Sequence, residues 1–264
     1  MHRVTAKDGT SIAFDRLGVG PAIVLVGGAA VDRSANARLA HELAERFTVY
    51  NYDRRGRGGS EDTLPYEVDR EIEDIAALIA EAGGAAHLFG MSSGGALALE
   101  AAAAGLPIAR LAVYEVPYDL APDGPRRSRE YADRLHALLA EGRRGEAFAL
   151  FMVTAGATEE MVKQARESPM WPSLEAIAPT LAYDAACLGD GRPPADRLSG
   201  IACPTLVATG GAGADSFGGG DFFARAADAI AELVPGAVRE TIEGQTHLVD
   251  PKALAPVLTR FLGQ

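Results

Sequence analysis

The sequence predicts an α/β fold, a mostly parallel sheet flanked by helices and interrupted once by a helical insertion. Three observations carry that reading. Short apolar runs alternate with stretches of helical period along most of the chain. The alternation lapses from residue 118 to 200, where helical spacing continues without a strand-like run. Many of the 30 glycines gather just after the apolar runs, at 27–28, 56–59, 90–95 and 210–220, where a strand hands over to a loop.

Taken in order, residues 3–7 and 10–16 flank Asp8-Gly9, a two-residue hairpin signal. Ile23-Val24-Leu25-Val26 reads as a buried strand ending at Gly27-Gly28. Leu39, Ala40, Leu43 and Phe47 then follow helical spacing. Thr48-Val49-Tyr50-Asn51-Tyr52 is strand-like and runs into Asp53-Arg54-Arg55-Gly56-Arg57-Gly58-Gly59-Ser60. Ile72, Ile75, Ile79 and Ala82 mark an amphipathic helix. Ala86-His87-Leu88-Phe89 is the next strand, followed by a Gly-rich turn and an Ala/Leu helix to about residue 104. Leu111-Ala112-Val113-Tyr114 precedes the helical insertion. After it come a strand at 204–208, a helix at 224–233, a strand at 238–242, and a closing helix marked by Leu254, Val257, Leu258 and Phe261.

Bulk properties narrow the function. A chain of 264 residues fits one large α/β domain, and 48% hydrophobic with 23% charged residues is an ordinary globular balance. A net charge of −11 argues against nucleic acid or an anionic membrane as partner. Cys187 and Cys203 are too few for a disulfide framework and lack metal-ligand spacing, so both are expected to be small buried hydrophobes. The N-terminus has no apolar h-region and no run is long enough to span a bilayer, which predicts a cytoplasmic protein. Gly211-Ala212-Gly213 lacks the third glycine and the N-terminal context of a dinucleotide site. The expectation is no cofactor and no metal; the expected partner is a small-molecule substrate, with a homo-oligomer allowed.

Gly90-Met91-Ser92-Ser93-Gly94, placed between a strand and a helix, has the form of a nucleophile elbow. Such a turn holds the serine in a strained conformation and aims the helix N-terminus at a developing oxyanion. Serine needs a base. Of five histidines, only His247 follows the last strand, where open α/β sheets place ligands. A carboxylate must hold the imidazole tautomer. Asp215, after the strand at 204–208, is favoured because it lies between Ser92 and His247; Glu115, just after Tyr114, is the alternative acid.

The elbow at Ser92, the Asp53–Ser60 loop and His247 after the last strand together resemble the α/β-hydrolase superfamily, over essentially the whole chain. The resemblance implies a sheet of eight strands, a core formed by residues 1–117 and 201–264, and residues 118–200 as a helical cap over the active site. It also implies that the Asp53–Ser60 loop is mainly structural. The family's usual His-Gly after the third strand is Gly27-Gly28 here. By that match the oxyanion hole falls to the backbone N–H groups of Ala29 and Ser93, beside Gly28.

A serine at the elbow, rather than the aspartate of dehalogenases and epoxide hydrolases of this fold, points to acyl transfer. The reading is a serine hydrolase, esterase- or lactonase-like, working on a small-to-medium apolar substrate through an acyl-enzyme on Ser92. A biosynthetic lyase or cyclase using the same groups as acid and base is one alternative; a non-catalytic ligand receptor is another. Phe151, Met170, Trp171 and Tyr183 are the apolar residues of the cap expected to bind substrate, against the alternative that they pack its helices together. Arg33 is either a contact for an anionic substrate or a surface arginine.

Overall fold

Ile23, Val24, Leu25 and Val26 are each fully buried, so their strand must be covered on both faces. A computed structural model describes residues 1–212 and 221–264 and shows how that cover is built. The N-terminal hairpin pairs β1 (His2–Thr5) with β2 (Ser11–Leu17) around Gly9, which has a φ of 91°. The Asp8 carboxylate accepts the Thr10 N–H at 2.9 Å and closes the turn.

The chain continues through β3 (Ala22–Val26), α1 (Ala37–Leu43), β4 (Thr48–Tyr52), α2 (Val68–Glu81), β5 (Ala86–Met91), α3 (Ser93–Ala103) and β6 (Ile108–Tyr114). There follow α4 (Gly124–Ala140), α5 (Arg144–Thr154), α6 (Glu159–Glu167), α7 (Trp171–Ile177), α8 (Leu181–Leu188) and the short α9 (Ala195–Leu198). It ends with β7 (Thr205–Gly210), α10 (Phe222–Leu233), β8 (Val238–Ile242) and α11 (Pro251–Leu262). Among the described residues, eight strands form one sheet in the order β1-β2-β4-β3-β5-β6-β7-β8. The β1/β2 and β2/β4 pairs are antiparallel and the rest parallel.

Period-two alternation splits the core between the faces. Val24 and Val26 join Ile75, Leu78, Ala98 and Ala226 on the face covered by α2, α3 and α10. Ile23 and Leu25 join Leu39, Leu43, Leu254 and Phe261 on the face covered by α1 and α11. After β3 the chain turns one way to β4 and then returns to place β5 on the other side of β3. The loops leaving β3 and β5 therefore stand at the topological switch point of the sheet, at its carboxyl end, the usual ligand position in open α/β sheets.

The helices α4 to α9 fill the interval between β6 and β7 where strand alternation lapses in the sequence. They carry their own apolar cluster of Leu135, Leu138, Ala147, Phe148, Trp171, Ala178 and Leu181. Ala29 and Ala30, from the loop after β3, pack against that cluster. The helices α8 and α9 rest on α3. Among the described residues, no helix is long and apolar enough to cross a membrane, and no group of three or more His, Cys, Asp or Glu could hold a metal ion.

The Asp53–Ser60 loop follows β4 and is pinned by buried charge. Arg55 pairs with Asp74 at 2.8 Å and with Asp8 at 3.0 Å. Arg54 pairs with Glu71 at 2.6 Å and with Asp184 at 2.7 Å, and Arg57 pairs with Asp184 at 2.7 Å. Arg33 is not placed to meet a substrate anion: its guanidinium is engaged by Asp15 and Asp53.

Candidate active site

Three non-glycine residues have positive φ among the described residues: Ala30 at 53°, Ser92 at 55° and Glu115 at 48°. Each follows a neighbouring parallel strand, after β3, β5 and β6 in turn, at the carboxyl edge of the sheet. Left-handed conformations cost a residue with a Cβ roughly 1–2 kcal/mol and persist where surrounding structure fixes them, often at functional sites.

Ser92 stands at the turn from β5 into α3 with ψ −130°. Its N–H donates to the Tyr114 carbonyl of β6 at 2.9 Å. The turn tolerates no bulk. A Cβ on Gly94 would lie 2.4 Å from the Gly27 carbonyl oxygen. A Cβ on Gly28 would come within 3.2 Å of the Ser92 Cβ. The Gly28–Ala29 loop thus lies directly against Ser92, where the sequence expectation puts the oxyanion hole. Ser93 is the first residue of α3, a position whose N–H has no partner within the helix.

His247 lies in the loop after β8. Its Nδ1 is 2.8 Å from Glu115 Oε2, and the other Glu115 oxygen accepts the Gly210 N–H at 2.8 Å. Glu115 is only 3% exposed. An ionised carboxylate accepts only, so a neutral imidazole donates from Nδ1 and keeps Nε2 as its acceptor nitrogen. The ring stacks on Phe223 of α10 at 4.7 Å and 8°. The Tyr114 hydroxyl donates to the Thr246 carbonyl at 2.7 Å, and burial raises its pKa, which keeps it a neutral donor. Through its carbonyl and its hydroxyl, Tyr114 ties the backbone at Ser92 to the backbone beside His247.

The acid favoured by chain order, Asp215, lies outside the described residues. Among the described residues, a carboxylate that reaches His247 is the alternative, Glu115. The expected substrate contacts divide. Trp171 is 8% exposed, edge-on to Phe148 at 5.8 Å with the Arg166 guanidinium over its face. It packs in the apolar cluster of the helical segment. Tyr183 stacks on Tyr66 at 3.8 Å and donates to Asp62 at 2.6 Å, which turns its ring and hydroxyl toward the loop before α2. Met170 is 62% exposed. Phe151 is half-buried and joins the same apolar cluster as Ala29 and Ala30.

Sequence reasoning missed Phe223, Tyr114, Arg57 and Asp184. The Asp184 carboxylate accepts from Arg54, Arg57 and the Ser93 hydroxyl, the last at 2.8 Å. Burial alone would raise its pKa, but the two guanidinium groups outweigh that and hold it low. Its one sequence signal is a single charge in an otherwise apolar helix. Cys187 lies nearby, its thiol pushed up to about 12 by burial, as expected of an inert core cysteine.

Comparison with known proteins agrees with this fold. The alpha/beta hydrolase family model matches residues 23–257. An alpha/beta hydrolase from Sphaerobacter thermophilus DSM 20745 is 50% identical, with a TM-score of 0.87 covering 99% of this chain and 100% of that one. A thermophilic esterase from Thermogutta terrifontis shares the fold at 24% identity, with a TM-score of 0.72 covering 99% of this chain and 97% of that one. An uncharacterized hydrolase of Bacillus subtilis, YraK, is 34% identical over 96 residues, and that match spans 35% of this chain and 35% of the relative.

Proposed function

This chain belongs to the alpha/beta hydrolase family, and from that premise we propose that it is a serine hydrolase cleaving an ester, lactone or related acyl bond of a small-to-medium apolar substrate. Ser92 is the nucleophile, His247 the base and Glu115 the acid. The observation that carries this reading is the buried Glu115 at 2.8 Å from His247 Nδ1, directly after β6, the strand that pairs with β5, which Ser92 directly follows.

The chemistry follows from the roles. His247 Nε2 takes the Ser92 proton as Oγ attacks the acyl carbon, and Glu115 stabilises the imidazolium. The carbonyl π pair becomes an oxyanion facing the N–H groups of Ala29 and Ser93, and loss of one such donor costs about 10²–10³-fold in kcat. The tetrahedral intermediate collapses, the leaving group departs with the proton from His247, and an acyl-enzyme remains. His247 then deprotonates a water that attacks the acyl carbon and frees Ser92. The apolar preference is supported by Ala29 and Ala30, which follow Gly28 beside Ser92 and pack against the apolar cluster of the helical segment that Phe151 also joins.

Hydrolysis of p-nitrophenyl esters from acetate to octanoate tests the proposal. The expected result is turnover favouring short and medium chains, with kcat lowered at least about 10³-fold in Ser92→Ala. Full activity in Ser92→Ala contradicts it.

A further inference from the structure

Asp184 stands in α8, within the helical segment between β6 and β7, yet its carboxylate bonds only to residues outside that segment. Oδ1 accepts from Arg54 Nη1 at 2.7 Å and from Ser93 Oγ at 2.8 Å, and Oδ2 accepts from Arg57 Nη2 at 2.7 Å. Arg57 uses its other terminal nitrogen, Nη1, to hold the Gly28 carbonyl oxygen at 2.6 Å. Arg54 is fixed in turn by Glu71 at 2.6 and 2.7 Å.

The Gly28 carbonyl and the Ala29 N–H belong to one peptide unit, which is planar and trans. A guanidinium that fixes the carbonyl oxygen therefore fixes the direction of the N–H at the opposite side. The Ser93 hydroxyl likewise anchors the first residue of α3, whose N–H has no partner within the helix. One buried carboxylate thus reaches both donors expected to form the oxyanion hole, one through Arg57 and the other directly. A buried ionic cluster is often no more stabilising than a packed apolar one, so stability alone is a weak reason for it. Orientation of donors is a stronger one, because an oxyanion hole works by being fixed before charge develops.

We propose that Asp184 is a positioning residue through which the helical segment orients the two oxyanion donors, Ala29 N–H by way of Arg57 and Gly28, and Ser93 N–H by way of its hydroxyl. The catalytic consequence rests on the serine-hydrolase reading; the ordering of the 27–32 loop does not.

The test uses Asp184→Asn and Ser93→Ala. The second keeps the backbone donor and every charge, so it serves where the first does not fold. Three measurements are made: kcat and KM on p-nitrophenyl butyrate, affinity for an alkyl trifluoromethyl ketone and for the matching alcohol, and hydrogen exchange of segment 27–32. The ketone forms a hemiketal: Ser92 Oγ bonds to the carbonyl carbon, its proton passes to His247, and the π pair becomes an oxyanion. The alcohol fills the same space with no oxyanion. The expected result for Asp184→Asn is a kcat about 10²-fold lower, on the scale of one lost donor, with a matching loss of ketone affinity and little change for KM or the alcohol. Ser93→Ala loses several-fold in both, and exchange in segment 27–32 quickens in Asp184→Asn. Wild-type kcat and ketone affinity in both variants overturn the proposal, as does an equal loss for ketone and alcohol. A wild-type chain without turnover or ketone adduct refutes the serine reading instead; exchange in segment 27–32 then decides alone, and no change on replacing Asp184 overturns the positioning role.

Discussion

His247 Nδ1 lies 2.8 Å from Glu115 Oε2 across 132 residues of sequence. Glu115 leaves β6 at a φ of 48°, and the Gly210 N–H at the end of β7 holds its second oxygen. The carboxylate is fixed at both oxygens before any substrate arrives.

Glu115→Gln is expected to lower kcat about 10³–10⁴-fold with little change in KM, because an amide at this position favours the wrong imidazole tautomer. Steady-state kinetics on a p-nitrophenyl ester measures it. Asp215→Asn gives the contrast: a loss of that size there, with Glu115→Gln nearly unaffected, contradicts the assignment.

Phe223→Leu removes the ring stacked on His247 at 4.7 Å. A stacked pair is worth about 0.5–1.5 kcal/mol, so kcat should fall several-fold through looser imidazole orientation while KM holds. An unchanged kcat means that the Phe223 ring does not help to orient the imidazole.

Acid stability tests the hairpin anchor at Asp8. Burial would raise this carboxyl, but its hydrogen bonds to Thr10 and Arg55 outweigh that and hold it at about 2, against an ordinary 3.8. The folded state therefore keeps the carboxylate where the unfolded chain takes up a proton. The resulting stability, about 2 kcal/mol, is complete above about pH 4 and lost as pH falls toward 2. Urea unfolding across that window should show a shallower loss in Asp8→Asn than in the parent protein. Equal slopes contradict the ion-pair account.

The sheet was legible because its parallel strands are buried on both faces and so read as continuous apolar runs, as at Ile23–Val26. The elbow was legible because Gly90, Ser92 and Gly94 act within a few residues of one another. The contact between Glu115 and His247 was less so, since chain order says nothing of the positive-φ turn at Glu115 from which its carboxylate reaches His247. Asp184 was still less accessible, because its bond to Arg57 joins positions 127 residues apart. The packing of Trp171 and Tyr183 was illegible for a related reason: large aromatic residues in a helical segment serve its packing as readily as a ligand, and only the fold shows Trp171 edge-on to Phe148 and Tyr183 stacked on Tyr66.

The central claim is that Ser92 is an activated nucleophile. Intact-protein mass spectrometry after treatment with a fluorophosphonate tests it most directly. One phosphonyl adduct on the wild-type chain, mapped to the peptide containing Ser92 and absent from folded Ser92→Ala, is the predicted result. A folded wild-type chain that takes no label, or an adduct that persists in Ser92→Ala, contradicts the account.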